Sequence, residues 1–294
     1  MAAPGKGAMG LHVSIGWTLT AASEGEVSMS RQQEFALDFL SIPQPDAKPG
    51  TRWTIMTDLA MPLAYQASFL DTVSDILTRV KFAEHVSLVG RLPPRFFCEK
   101  NALYNRHGLK TFTGGVPFEI AHLQNKVQEY FSALPKLGFA GVEISTDCIA
   151  DLTRDGRNRL IRDARNAGLE VYTELGNKIG ELKLDVRAAA DCIRADLEEG
   201  AVKVAIENES LCYSLKTKTL DTVAAIVAEV GISAVAFEVG PGGWPELPVW
   251  LLKEFGPDIN VENLQYDRVL AFEAMRRGLH RSIGYTFFEG AGKA

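Results

Sequence analysis

Asp58, Glu143, Glu174, Glu207 and Glu238 each stand at or beside the end of a short apolar run, and the runs recur along the chain. Two lysines share the pattern. Lys81 sits inside VKFA, and Lys178 follows Glu174 by four residues in GLEVYTELGNK (168–178). Carboxylates gathered at one place repel unless a cation neutralises them, and hard oxygen donors suit Mg²⁺ or Mn²⁺. An ammonium beside them can bind an anion or give up a proton. Any one of these acids, taken alone, is as well explained by a lysine partner or by capping the next helix. For the whole series that explanation fails, because burying so many uncompensated charges is costly. Gly114-Gly115 and Gly240-Pro241-Gly242-Gly243 follow two of the runs, where backbone N–H groups can hold a phosphate. A plain tight loop is an equal alternative for each. Ser145, Asn260 and Asn263 add neutral polar groups at the run ends. The five histidines show no HExxH or paired spacing, which speaks against a histidine metal site or a Ser/His/Asp triad.

The elements that must position these residues alternate from residue 53 onward. Strand-like runs fall at 54–58, 80–83, 110–113, 142–145, 170–174, 203–207, 235–238 and 259–263. Helical periodicity is clearest at 118–137, 151–167, 186–199, 221–229 and 266–279. Gly138, Gly168, Gly200 and Gly231 each follow a helical stretch, where a left-handed cap is wanted. A strand–helix unit roughly every 30 residues predicts an α/β fold of the (β/α)8 TIM-barrel type, spanning 51–294. A doubly wound sheet is the alternative, but its glycine fingerprint after the first strand is missing. Strand alternation means that only some of the acids can face the mouth. Residues 1–50 stand outside the repeat. LHVSIGWTLT (11–20) suits a strand, 32–40 a short helix, and the proline-rich 42–52 a connector, so 1–50 reads as an N-terminal extension that caps the barrel or meets a neighbouring copy. Arg276, Arg277 and Arg281 read as surface or subunit contacts.

The chain has 294 residues, enough for one large core, and a net charge of −6 without a long basic run. That argues against nucleic acid and anionic membrane as partners. No apolar run reaches the roughly 18–20 residues of a membrane span. The start of the chain makes a poor secretion signal. The four cysteines are scattered without CxxC spacing, so free thiols and a cytoplasmic setting are expected.

Several runs carry a resemblance. TIMTD with Asp58, VKF with Lys81, Glu99-Lys100, FTGG, LGFAGVEIS (137–145), VYTELGNK (171–178), DLEEGA (196–201), Glu209-Ser210, Phe237-Glu238 and FGPDINVENL (255–264) occur in the order seen in phosphosulfolactate synthases and their plant heat-stress-associated relatives. The chain resembles that family over about four fifths of its length, from residue 48 to 281. The resemblance implies a Mg²⁺-dependent barrel that adds sulfite to phosphoenolpyruvate, with enolate stabilisation and a lysine that protonates the adjacent carbon. Lys178 is expected to be that lysine, its pKa lowered toward working pH by bound metal and other cations nearby. Lys81 is expected to help bind phosphate or carboxylate, unless it simply pairs with a barrel carboxylate. Asp58, Glu143, Glu174, Glu207 and Glu238 are the expected metal ligands. Gly114, Gly115, Ser145, Asn208, Ser210, Gly242, Gly243, Asn260 and Asn263 are the expected substrate contacts. The partner is a small anionic substrate, phosphorylated or carboxylated, and the assembly a homo-oligomer. The chain departs from the family after Lys81-Phe82, where Gly-Trp-Gly-Thr gives way to Ala83-Glu84-His85-Val86, and after Glu207, where Asn208 replaces an arginine. The scaffold and Lys178 match while the pocket is rewritten. Two other readings stay open: an aldolase or isomerase working through an enolate, and a non-catalytic binding or stress protein.

Overall fold

A computed structural model describes residue 40 and residues 52–289, apart from 147, 148, 150, 151, 179 and 288. The strand and helix expected within 1–50 therefore lie outside the described residues. Eight parallel strands close into a barrel in chain order: β1 (Thr54–Asp58), β2 (Arg79–Phe82), β3 (Lys110–Thr113), β4 (Gly141–Ile144), β5 (Glu170–Leu175), β6 (Lys203–Ile206), β7 (Val235–Glu238) and β8 (Val261–Gln265). The helices that carry the chain back are α1 (Leu63–Val73), α2 (Glu84–Val89), α3 (Pro94–Arg106), α4 (Gly115–Leu123), α5 (Val127–Ala133), α6 (Arg154–Asn166), α7 (Val186–Glu199), α8 (Asn208–Thr217), α9 (Leu220–Val230), α10 (Glu246–Phe255) and α11 (Val269–Arg276). This is the expected (β/α)8 barrel. Among the described residues no helix is long and apolar enough to cross a membrane.

Period-two alternation sorts each strand into two faces. Met56, Val80, Phe82, Val142, Ile144, Val171, Val204, Ile206, Val235 and Phe237 belong to the main core shared with the helices. The alternate residues form the lumen. At its base Trp53, Ile55, Phe112 and Tyr172 make a separate apolar plug, with the Phe112 and Tyr172 rings stacked at 3.9 Å. Gly141 makes room for it, since a Cβ there would lie 2.8 Å from the Tyr172 ring. Arg79 lies 3.6 Å and Lys203 4.3 Å from the Trp53 ring. Arg276, expected on the surface, is buried at this end, donating to Thr54 Oγ1 and to the Ile259 carbonyl.

Two elements differ from the sequence reading. The helix expected over 118–137 is broken, because Asn125 takes a left-handed φ of 54° between α4 and α5. Strand β8 begins two residues later than expected. Asn260 lies before it, its Oδ1 accepting from Trp53 N–H and its amide donating to the carbonyls of Ile232 and Val235. Within β8, Asn263 has a φ of 55° and the pairing with β1 slips from Thr54–Val261 to Met56–Leu264. This bulge breaks the alternation, so that Glu262 reaches the lumen while Asn263 and Gln265 both line its mouth.

Candidate active site

The upper lumen is a cavity of about 440 Å³ at the C-terminal ends of the strands. Lys81 crosses it from β2. Its Nζ lies 2.7 Å from Glu143, 2.8 Å from Glu262 and 2.9 Å from Glu238, with Glu174 at 3.9 Å. Nearer the opening, Lys178 Nζ lies 2.7 Å from Glu174 Oε2 and 3.2 Å from Glu207 Oε2. Glu238 accepts from the Asn208 N–H at 3.2 Å and from the amide of Asn263, whose Oδ1 accepts from Thr57 at 3.0 Å. The tip of β5 is fixed from behind by Arg157, which donates to the Glu174 carbonyl at 2.9 Å and pairs with buried Asp196 at 2.6 Å. Ser210 on α8 accepts the Asn177 N–H at 3.2 Å and so holds the turn that carries Lys178.

Five carboxylates thus face two ammonium groups. Burial alone would lower the pKa of Lys178, but Glu174 and Glu207 outweigh it and hold it above the ordinary lysine value. The same contest leaves Lys81 raised, with Glu143 and Glu238 the largest opposing charges. The protein's own carboxylates thus hold the Lys178 proton, and the lowering expected of this lysine would have to come from a bound cation. Burial raises Glu174, yet Lys81 and Lys178 draw it down to about 2. Burial pushes Glu238 up to about 7 despite Lys81, and burial together with Glu238 and Glu174 raises Glu207 further.

Two carboxylate groups are close enough to share a cation, Glu143–Glu238–Glu262 and Glu174–Glu207–Glu238. The first is already filled by the Lys81 ammonium. In the second, the Lys178 ammonium pairs with Glu174 Oε2 and Glu207 Oε2, while Glu174 Oε1 is a buried oxygen that accepts no hydrogen bond and has Lys81 no nearer than 3.9 Å. Hard carboxylate oxygens converging from three strand ends, one of them without a hydrogen bond, fit a divalent cation, so Glu174, Glu207 and Glu238 are residues that could hold one.

A family model described as (2R)-phospho-3-sulfolactate synthase (ComA) matches residues 43–282. The chain belongs to the phosphosulfolactate synthase family. It is 30% identical to the phosphosulfolactate synthase of Methanocaldococcus jannaschii over 242 residues, covering 80% of this chain and 93% of that protein. It is 20% identical to the protein HEAT-STRESS-ASSOCIATED 32 of Arabidopsis thaliana, covering 63% of this chain and 71% of that one. The carboxyl transferase domain of Rhizobium etli pyruvate carboxylase shares the fold, with a TM-score of 0.53 at 11% identity over 75% of this chain and 41% of that one.

For this phosphosulfolactate synthase family member the expected site residues divide. Lys81, Lys178, Glu143, Glu174, Glu207, Glu238, Gly114, Gly115, Asn208 and Asn263 all line the cavity. Asp58 does not. It is the outward residue beyond Thr57, bonded to Lys100 at 2.7 Å, to Tyr104 at 2.7 Å and to the Met61 N–H at 2.8 Å. Asn260 lies at the opposite end of the barrel. Ser145 donates to Glu119 and is covered by Gly115, where a Cβ would meet its Oγ at 2.1 Å. The glycine loops also differ from a phosphate nest. The Gly114 N–H is spent on the Phe82 carbonyl and the Gly115 N–H on Glu143, both at 2.8 Å. Gly240 and Pro241 line the mouth, whereas Gly242 and Gly243 pack toward Asn208, Cys212 and Leu247. Ser210 acts on the Lys178 turn from behind. Sequence reasoning missed Glu262, which was readable in INVENL but falls on the wrong face until the bulge is known. It also missed Thr57, His85 and Gln265, which line the mouth.

Proposed function

We propose that the protein is a carbon–sulfur lyase of the phosphosulfolactate synthase type, joining sulfite or a related sulfur nucleophile to phosphoenolpyruvate or a similar enol acid with Mg²⁺ or Mn²⁺. The observation that carries this reading is Lys178, an ammonium kept protonated at the open end of a carboxylate-lined barrel, in a chain whose relatives are named phosphosulfolactate synthases. The sulfur lone pair forms the new bond to the methylene carbon. The double-bond electrons move onto the carboxylate-bearing carbon as an enolate, and Lys178 Nζ gives that carbon a proton and later regains one from solvent. When bound, the metal supplies positive charge for the substrate carboxylate on which the enolate develops. Glu174 and Glu207 aim Lys178, and Lys81 holds Glu143, Glu238 and Glu262 together so that the cage keeps its shape before substrate arrives. The reading includes a cytoplasmic setting, supported by the unpaired thiols of Cys98, Cys192 and Cys212 among the described residues, and a homo-oligomer, which sedimentation velocity tests.

The test is incubation of metal-loaded protein with phosphoenolpyruvate and sulfite, followed by mass spectrometry for a sulfonate that retains the phosphate. Failure to form it under conditions where the M. jannaschii enzyme does so sinks the sulfite assignment. A second reading, an aldolase or isomerase working through an enolate, is favoured by one observation: both N–H groups of the Gly114-Gly115 loop are committed within the protein.

A further inference from the structure

Outside the barrel mouth, α2 and the α4–α5 pair enclose a second cavity of about 330 Å³, lined by Glu84, Leu88, Pro117, Ile120, Ala121 and Tyr130 among others. Leu88, Pro117, Ile120 and Ala121 give it an apolar wall, and Leu88, Ile120 and the neighbouring Leu123 remain exposed along it. Glu84 is the buried charged group in its lining. It opens α2, is only 5% exposed, and turns into this groove rather than into the lumen. Its Oε2 is buried and accepts no hydrogen bond. Among the described residues it makes no ion pair. The Tyr130 hydroxyl, 2.8 Å from Thr113 Oγ1, also bears on the Glu84 carboxyl as a hydrogen-bond partner and offsets part of its burial, which leaves Oε2 as the oxygen without one. Lys126 and Glu129 also line the groove and balance one another in charge. A buried carboxyl without a counter-ion is costly, and burial pushes Glu84 up to about 7.

We propose that this groove is a ligand site for a small amphipathic amine, its ammonium bonded to Glu84 Oε2 and its apolar part laid along Leu88, Pro117 and Ile120. The orphaned oxygen selects the charge. An anionic ligand meets a carboxyl, and a neutral hydroxyl offers only an uncharged hydrogen bond, about half as strong as a charge-assisted one. The apolar walls select the body, because a fully hydrated polyamine would leave them uncovered. The inference stands apart from the reaction at the barrel mouth.

The test is titration calorimetry with n-hexylamine, in saturating Mg²⁺ to occupy the mouth carboxylates, with 1-hexanol and hexanoate as controls. The expected result is saturable binding of one hexylamine per chain, at least tenfold tighter than hexanol, and no binding of hexanoate. Glu84→Gln should weaken the amine at least tenfold. Ile120→Trp, which keeps the carboxyl and fills the groove, should block it, with far-UV circular dichroism confirming that both variants fold. Absence of saturable binding to the wild type overturns the site. So does hexanol binding as tightly as the amine, or an affinity unchanged in either variant, which would place the amine elsewhere.

Discussion

Replacing Lys81 by Met removes the one cation among the described residues that touches Glu143, Glu238 and Glu262 together, while keeping most of the volume of its stem. These contacts are 2.7–2.9 Å long and buried. Taking one partner from a buried ion pair costs about 3–5 kcal/mol, because the charge left behind has no water. The loss should depend on pH with a definite sign. Without Lys81 the three carboxylates face one another, and Glu143 and Glu238, which burial already raises, hold protons more tightly still in the folded state. Their penalty is absent at pH low enough to protonate them in the unfolded chain and grows as pH rises. Urea unfolding of chelator-treated wild type and Lys81→Met at pH 5 and pH 8 measures it. The expected gap is about 3–5 kcal/mol at pH 8 and clearly smaller at pH 5. A gap below about 1 kcal/mol at pH 8, the value of an exposed pair, refutes the cage as a structural counter-ion system. A gap equal at both pH values does the same.

Three further outcomes follow from other contacts. Lys178→Ala should lower kcat by about 10²–10⁴ while leaving the far-UV circular dichroism unchanged, as loss of a general acid does; normal turnover would show that another group delivers the proton. Glu207→Gln should weaken Mn²⁺ binding at least tenfold in calorimetry while Asp58→Asn leaves it unaltered, and the reverse would restore Asp58 to the site. Glu84 has a folded pKa of about 7 against 4.5 for an ordinary glutamate, so its contribution is full below pH 4.5 and is lost as pH rises through 7. Glu84→Gln should therefore be the more stable protein by up to about 3 kcal/mol at pH 8 and indistinguishable at pH 4 in urea unfolding, and equal stability at pH 8 would contradict the burial argument.

The barrel itself was legible because eight runs of β-branched and apolar residues recur with helical stretches and glycine caps between them. Gly138, Gly168, Gly200 and Gly231 all take the positive φ that their positions required. The mouth was legible where a strand alternates without interruption. Glu143, Glu174 and Glu238 follow from their neighbours' outward packing. Asp58 did not follow, because a strand-end acid can face either way and TIMTD looks the same in both registers. Only α3, with Lys100 wholly buried against it, decides the matter. The Gly114-Gly115 loop misled for a related reason. Its glycines are demanded by close packing on Ser145 and Glu143, and a composition that permits close approach does not say to what. Asn260 and Glu262 exchanged roles because strand β8 starts later and bulges, and neither event leaves a period in the sequence.

That bulge has a consequence for how such a site can change over time. Glu262, Asn263 and Gln265 contribute to the lumen or its mouth through one residue in left-handed geometry at Asn263. Removing a single residue there would restore regular alternation and turn part of this set toward the helices. Ordinary substitutions alter one side chain at a time. In this strand a one-codon deletion or insertion would exchange a whole group of ligands at once, leaving the other seven strands untouched.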